Sequence, residues 1–166
     1  MNTLIRHPAA YAAAFVVSFT ALYALYHLAG PALPLYYAAL ANSVCWFFGL
    51  FDASVSCESN YLLYNGVREL VVVEGCDGVT FVLLILAAVL PFPATWRHKL
   101  IGLIWLSAAV LFVNWMRLAI LSAFRFYMPS GFDFVHVYLF QPLMIAFTLA
   151  IFFIWLSFAN DRASEI

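Results

Sequence analysis

Residues 61–90 read YLLYNGVRELVVVEGCDGVTFVLLILAAVL, and the change of pattern inside this stretch decides the fold. Asn65-Gly66 stands between Tyr61-Leu62-Leu63-Tyr64 and the run from Val67 to Val73. Two β-prone flanks around Asn-Gly are a strong signal for a two-residue hairpin. After Glu74-Gly75-Cys76-Asp77-Gly78 the chain turns into an unbroken apolar run, Val79–Leu90. The stretch therefore reads as a short β-hairpin that delivers a cysteine to the start of a membrane helix, with Asp77 as the cap of that helix.

Working outward, the 166-residue chain is 67% hydrophobic and only 9% charged. A soluble domain carries about 25% charged residues, so most of this mass belongs in lipid. The net charge of −1 leaves no basic footprint for nucleic acid. A spanning helix needs about 20 mostly apolar residues. The runs 9–28, 100–127 and 134–158 meet that length, and 77–92 is read as a further span once its flanking residues are included. The run 35–51 is apolar but carries Asn42 and Ser43 in its middle, and Tyr36, Tyr37 and Trp46 suit an interface. The expected fold is an all-α polytopic membrane protein: about four transmembrane helices, an outer interfacial or re-entrant helix, and a short β-hairpin before the helix that follows Cys76. The whole of 1–166 reads as a single membrane-embedded domain with an extracytoplasmic hairpin region over 52–75. The opening Met1–His7 and the apolar run behind it resemble a signal peptide, but that run is long for one and reads as a retained helix.

Basic residues cluster at Arg6, at Arg97 with Lys99, and at Arg162. With four spans all three clusters fall on the cytoplasmic side, whereas a fifth span at 35–51 would move Arg6 outside and keep Arg97 and Lys99 inside. Asp52, Glu58, Glu69 and Glu74 against the single Arg68 suit the opposite side. Arg117 lies about 27 Å along a helix from Lys99, close to the outer face of a core about 30 Å thick. Asn114 shares its face at the i,i+3 spacing. His136 opens the last span after Pro129-Ser130-Gly131. Cys76, Arg117 and His136 thus lie at one membrane level on three helices.

These residue types can do acyl-transfer chemistry together. The thiolate is the nucleophilic form of cysteine, and a helix N-terminus or a nearby cation favours it. Histidine can serve as base and then as acid toward a leaving amine. Arg117 stays protonated and cannot be a base, but its fork of donors suits a developing oxyanion. Asn114 could orient Arg117 or add a donor. Asp77 opposes the thiolate unless it turns away to cap the helix or orients His136.

Each residue also has a plain structural reading. Cys76 alone is a small packing residue, Arg117 a headgroup anchor that snorkels, His136 an interfacial histidine. Arg125 reads as a headgroup anchor, Asp133 as a loop residue or cap, and His27 and His98 as interfacial. Cys45 and Cys57 lie near the outer side, where a disulfide is permitted and would leave Cys76 free. Burial of Cys45 in the interfacial helix weighs against that pairing. The scattered cysteines and histidines lack metal-ligand spacing, so no metal or other cofactor is expected.

The order of these elements resembles the exosortase/archaeosortase family. The matching parts are Val71-Val72-Val73-Glu74-Gly75-Cys76-Asp77-Gly78-Val79, then Asn114-Trp115-Met116-Arg117, then His136. Leu40–Val55, with Gly49, resembles the helix that precedes the hairpin in that family. The resemblance covers Pro34–Phe158, and the chain would be a short, divergent member: the family more often has Ala-Cys-Ser-Gly where this chain has Gly75-Cys76-Asp77-Gly78. It implies a membrane cysteine protease/transpeptidase with Cys76 as nucleophile, Arg117 as transition-state stabiliser and His136 as acid/base, supported by Asn114, Asp77 and Gly78. The implied substrate is a membrane-anchored protein with a C-terminal sorting signal of the PEP-CTERM kind, cleaved through a thioester and passed to an acceptor. The implied place is the cytoplasmic membrane of a prokaryote, multi-pass, with the site on the extracytoplasmic side. Two other readings stand beside it: a non-enzymatic scaffold that binds lipid or a partner helix through Arg117 and His136, and a lipid acyl transferase using the same cysteine. Sequence leaves the acceptor and the oligomeric state open.

Overall fold

The structure, a computed structural model, describes residues 8–30 and 33–161. Arg6 and Arg162, which bear on orientation, and the opening Met1–His7 lie outside the described residues. The chain runs α1 (Pro8–Leu28), α2 (Leu33–Gly49), β1 (Val55–Glu58), β2 (Tyr61–Tyr64), β3 (Val67–Val71), α3 (Val79–Val89) and α4 (Trp96–Tyr127). A 3₁₀ turn, Pro129–Gly131, and a π-helical segment, Phe134–Phe140, then lead into α5 (Gln141–Asp161).

Among the described residues three stretches are long and apolar enough to cross a membrane: Pro8–Leu28, Trp96–Tyr127 and Pro129–Ala159. Their outward faces carry large apolar groups such as Val17, Ile104, Trp105 and Phe153, as lipid contact requires. Helix α3 is shorter than the run 77–92 from which a span was expected. It has 11 residues, about 17 Å, because Gly78 stands before it in a left-handed conformation and the segment through Pro91 and Pro93 ends it. The lower bundle packs Ile85 and Val89 of α3 against Leu106 and Val110 of α4 and Met144 of α5. Gly102 lets α5 approach α4 closely, since a Cβ there would collide with the Trp155 ring.

Helix α4 sets the height of the molecule. Its 32 residues reach about 48 Å, well beyond the hydrocarbon core. The sheet packs around its far end. The strands form an antiparallel meander in the order β1-β2-β3, one strand more than the expected hairpin. Asn65-Gly66 makes the β2–β3 turn with φ of 50° and 78°, the double left-handed geometry of a type I′ turn. The β1–β2 turn uses Ser59 at φ 57°, a position where glycine is usual, so it gave no signal in the sequence. A bulge in the β2–β3 register, where Leu62 pairs with Leu70 but Leu63 with Arg68, leaves Glu69 extra. Its carboxylate accepts from Arg125 Nε at 2.9 Å, so Arg125 ties the sheet to α4, which corrects its reading as a simple headgroup anchor.

Helix α2 lies over the sheet. Ala41, Val44, Cys45 and Phe48 pack with Val55, Leu62 and Val72 and with Leu118, Ala119 and Phe126 of α4. Ser43, which made this helix look unsuited to lipid, accepts from Trp115 Nε1 at 2.9 Å. Cys45 and Cys57 are disulfide-bonded, contrary to the weight given to the burial of Cys45: the buried face of α2 is the face that meets β1. Tyr127 donates to Asp52 at 2.7 Å. The Ser54 N–H, and then this phenol, hold the Asp52 carboxyl below the usual carboxylate range.

Candidate active site

Cys76 sits in a tight turn and not in the first turn of α3, three residues before the helix begins. The turn is built by two glycines in the left-handed region, Gly75 at φ 85° and Gly78 at φ 77°, where glycine avoids the clash that a Cβ creates. Gly78 has a second reason to be glycine: a Cβ there would lie 2.8 Å from the Asn114 side chain. The main chain of Cys76 is held at both ends. Its N–H donates to Val73 O at 3.0 Å, and its carbonyl accepts from Asn114 Nδ2 at 2.9 Å.

Arg117 is buried, at 4% exposure, on α4 one turn beyond Asn114. Its Nη1 donates to Asn114 Oδ1 at 3.3 Å, so one amide links the guanidinium to the cysteine's backbone. Arg117 Nε is buried with no hydrogen-bond partner. An unpartnered buried donor is rare and unfavourable by about 1–3 kcal/mol. Cys76 and Arg117 line a small cavity with Leu118 and Leu121. Its volume is ≈ 10 Å³, room for about one water.

His136 lies on the π-helical segment, half-buried, with its ring against Phe132 at 5.4 Å between centroids. Val135 beside it belongs to one apolar cluster with Phe140 and Leu121, and Leu121 also lines the cavity. Arg117 is within electrostatic range of both the Cys76 thiol and the His136 ring. Among the described residues His136 makes no hydrogen bond to Cys76, Arg117 or Asp77. Asn114 thus contacts Gly78, Cys76 and Arg117, while His136 bonds to none of them. Asp133 precedes the π segment but makes no side-chain cap there. Among the described residues no three or more His, Cys, Asp or Glu side chains gather as metal ligands would.

The Asp77 carboxylate bonds to Tyr26 and Val79 and not to His136. Asp77 is 1% exposed, with Oδ1 accepting from Val79 N–H at 3.2 Å and Oδ2 from Tyr26 OH at 2.6 Å. Gly78 and not Asp77 is the N-cap of α3, and Asp77 meets the first N–H of the helix from one residue further back. The second partner was not anticipated. Tyr36 OH donates to the Asp77 carbonyl at 3.0 Å, and Tyr37 lies 2.8 Å from Tyr26. Tyr23 donates to Glu74 at 3.0 Å, and His27 Nε2 is 3.4 Å from the same carboxylate. The spacing of Tyr23, Tyr26 and His27 places them on one helix face, and that was the available signal. Tyr36 and Tyr37 read from sequence as interfacial aromatics.

Neither a curated protein nor a solved structure matches the chain. A family model described as transmembrane exosortase (Exosortase_EpsH) matches residues 4–156, and that stretch holds the hairpin, the Cys76 turn, Arg117 and His136. The chain belongs to the transmembrane exosortase family.

Proposed function

We propose that the chain is a membrane cysteine transpeptidase that cleaves the C-terminal sorting signal of an exported protein and passes the protein to an acceptor. Cys76 is the nucleophile, Arg117 the oxyanion stabiliser and His136 the acid/base. The observation that carries this reading is the buried Arg117 Nε, which has no partner, on a residue that lines one cavity with the free cysteine Cys76. A donor left unpaired in the resting protein gains its hydrogen bond when negative charge develops on a substrate oxygen, which is the differential binding that catalysis needs.

The steps follow from these positions. The Cys76 thiolate attacks the carbonyl carbon of the scissile peptide bond, forming a C–S bond. The carbonyl oxygen becomes an oxyanion and takes the Arg117 donor. The tetrahedral adduct collapses, the C–N bond breaks, and the leaving amine takes a proton from His136. An acceptor amine or water then attacks the thioester while His136 removes its proton, and the thiolate returns. Entry of the substrate requires the cavity walls at Leu118 and Leu121 to part, since the space holds about one water.

The same reading puts the site on the extracytoplasmic face of a prokaryotic cytoplasmic membrane. The Cys45–Cys57 disulfide supports it, because disulfides persist in oxidising compartments. Replacing the cysteine tests the function. Cys76→Ala, expressed in cells lacking the native gene, should lose cleavage by about 10⁴-fold or more, and wild type should yield a trapped acyl adduct with the mass of the substrate protein. Normal processing by Cys76→Ala would overturn the mechanism, and an adduct with the mass of a fatty acyl group would favour lipid transfer.

A further inference from the structure

We infer that Tyr26 and Asp77 form a positioning pair that holds the Cys76 turn against Arg117; the role rests on Cys76 being the nucleophile proposed above. A phenol has one proton to give. Tyr26 gives its proton to Asp77 Oδ2, so in the 2.8 Å contact with Tyr37 the donor is Tyr37. A directed chain therefore runs Tyr37 to Tyr26 to Asp77, from α2 through α1 to the residue after the cysteine.

The chain completes a set of ties on a short turn. Cys76 N–H, Cys76 C=O and Asp77 C=O all have partners, at Val73, Asn114 and Tyr36. Asp77 adds two more through its carboxylate. The turn is thus gripped from α1, α2 and α4, and Cys76 lines a cavity together with Arg117. Burial of Asp77 is otherwise hard to account for, because Arg117 donates to Asn114 and the nearest donors to Asp77 are a phenol and an amide. A carboxylate bonded to Tyr26 ties the turn to α1.

Two physical roles for Asp77 make opposite predictions for the thiol. If Asp77 positions the turn, losing the tie lets the thiol drift from Arg117, and the thiolate loses stabilisation. If Asp77 acts by its field, removing the charge stabilises the thiolate. The other groups around the turn stay the same in both cases: Glu74 within it, Tyr23 and His27 from α1, Tyr36 and Tyr37 from α2, Arg117 from α4 and His136 from the π segment.

The experiment is iodoacetamide alkylation of Cys76 against pH in the full chain in lipid nanodiscs, read by mass spectrometry. Cys76 is the free cysteine, the other two being disulfide-bonded. Tyr26→Phe keeps the ring and the charge balance and removes the hydroxyl that donates to Asp77 and accepts from Tyr37. Asp77→Asn offers one carbonyl acceptor where two are used. Each should move the alkylation midpoint up by about one pH unit, a tenfold slowing below it, and the double variant should move it no further. Tyr23→Phe, which loses only an exposed bond to Glu74, should leave it in place. A downward shift in Asp77→Asn, no shift in Tyr26→Phe, or additive shifts would overturn the pairing. The alkylation needs the thiol and its turn but no substrate, so it stays decisive even if cleavage by Cys76→Ala removes the nucleophile reading.

Discussion

At the scale of the residue, two glycines around one cysteine are not equivalent. Gly75 at φ 85° has open space where a Cβ would go, whereas Gly78 at φ 77° faces Asn114. Gly75→Ala should therefore destabilise by the backbone strain alone, about 1–3 kcal/mol. Gly78→Ala carries that strain and also displaces the amide that links Cys76 to Arg117, so it should lose activity as well. Thermal midpoints paired with cleavage rates would separate the two, and equal activity in both variants would count against a role for the Asn114 bridge. Arg117 makes a second contrast. Lysine keeps the charge but lacks the planar fork, and Arg117→Lys should lose about 10²–10³-fold in turnover. Near-normal turnover would return Arg117 to the role of a headgroup anchor, although its 4% exposure already fits poorly with snorkelling.

At the scale of the element, the unusual piece is the π-helical segment Phe134–Phe140 that carries His136. π-Helical turns are rare and recur at functional sites. This one follows the Pro129–Gly131 turn and puts Val135 and Phe140 in one apolar cluster with Leu121, a residue that lines the cavity. His136→Ala should slow product release more than adduct formation. At high pH a thiol of reference pKa about 8.5 still ionises without help, while the leaving amine remains unprotonated by any neighbour. Stopped-flow measurement of the two steps from pH 6 to 9 would show partial recovery of the first step only. Equal rates to wild type across that range would exclude His136 as acid/base.

At the scale of the whole molecule, α4 connects two environments. Its first part packs in the bundle of α3 and α5, where lipid removes the hydrophobic drive and close packing such as Gly102 on Trp155 matters more. Its last turns hold the sheet and α2 through Phe126, Arg125 and Tyr127. Arg117 lies where the two regions meet. Impermeant maleimide labelling would test which compartment holds the sheet. Val67→Cys and Arg97→Cys, each in a Cys76→Ala background that keeps the disulfide, place one exposed thiol at either end. Labelling in intact cells is expected at 67 and not at 97. The reverse pattern would put the site in the cytoplasm, where processing of exported proteins fails.

The sequence by itself determined the membrane class, the Asn65-Gly66 hairpin and the order of Cys76, Arg117 and His136. Those features are local: apolar length, a turn that two residues specify, and helical rise along a single helix. It also placed Asn114 on the face of Arg117, because i,i+3 neighbours meet in any helix. Tertiary structure decided what depended on which faces meet. It added β1, whose turn lacks a glycine, paired Cys45 with Cys57, and turned Arg125 onto Glu69. It sent Asp77 to Tyr26, and it left His136 beside the Cys76–Arg117 cavity without a hydrogen bond to either residue. Membrane depth is a sum along one axis and can be read from residue numbers. Contact across the bundle depends on the rotation of each helix about its own axis, and in apolar helices with little contrast between faces the sequence carries little record of that rotation.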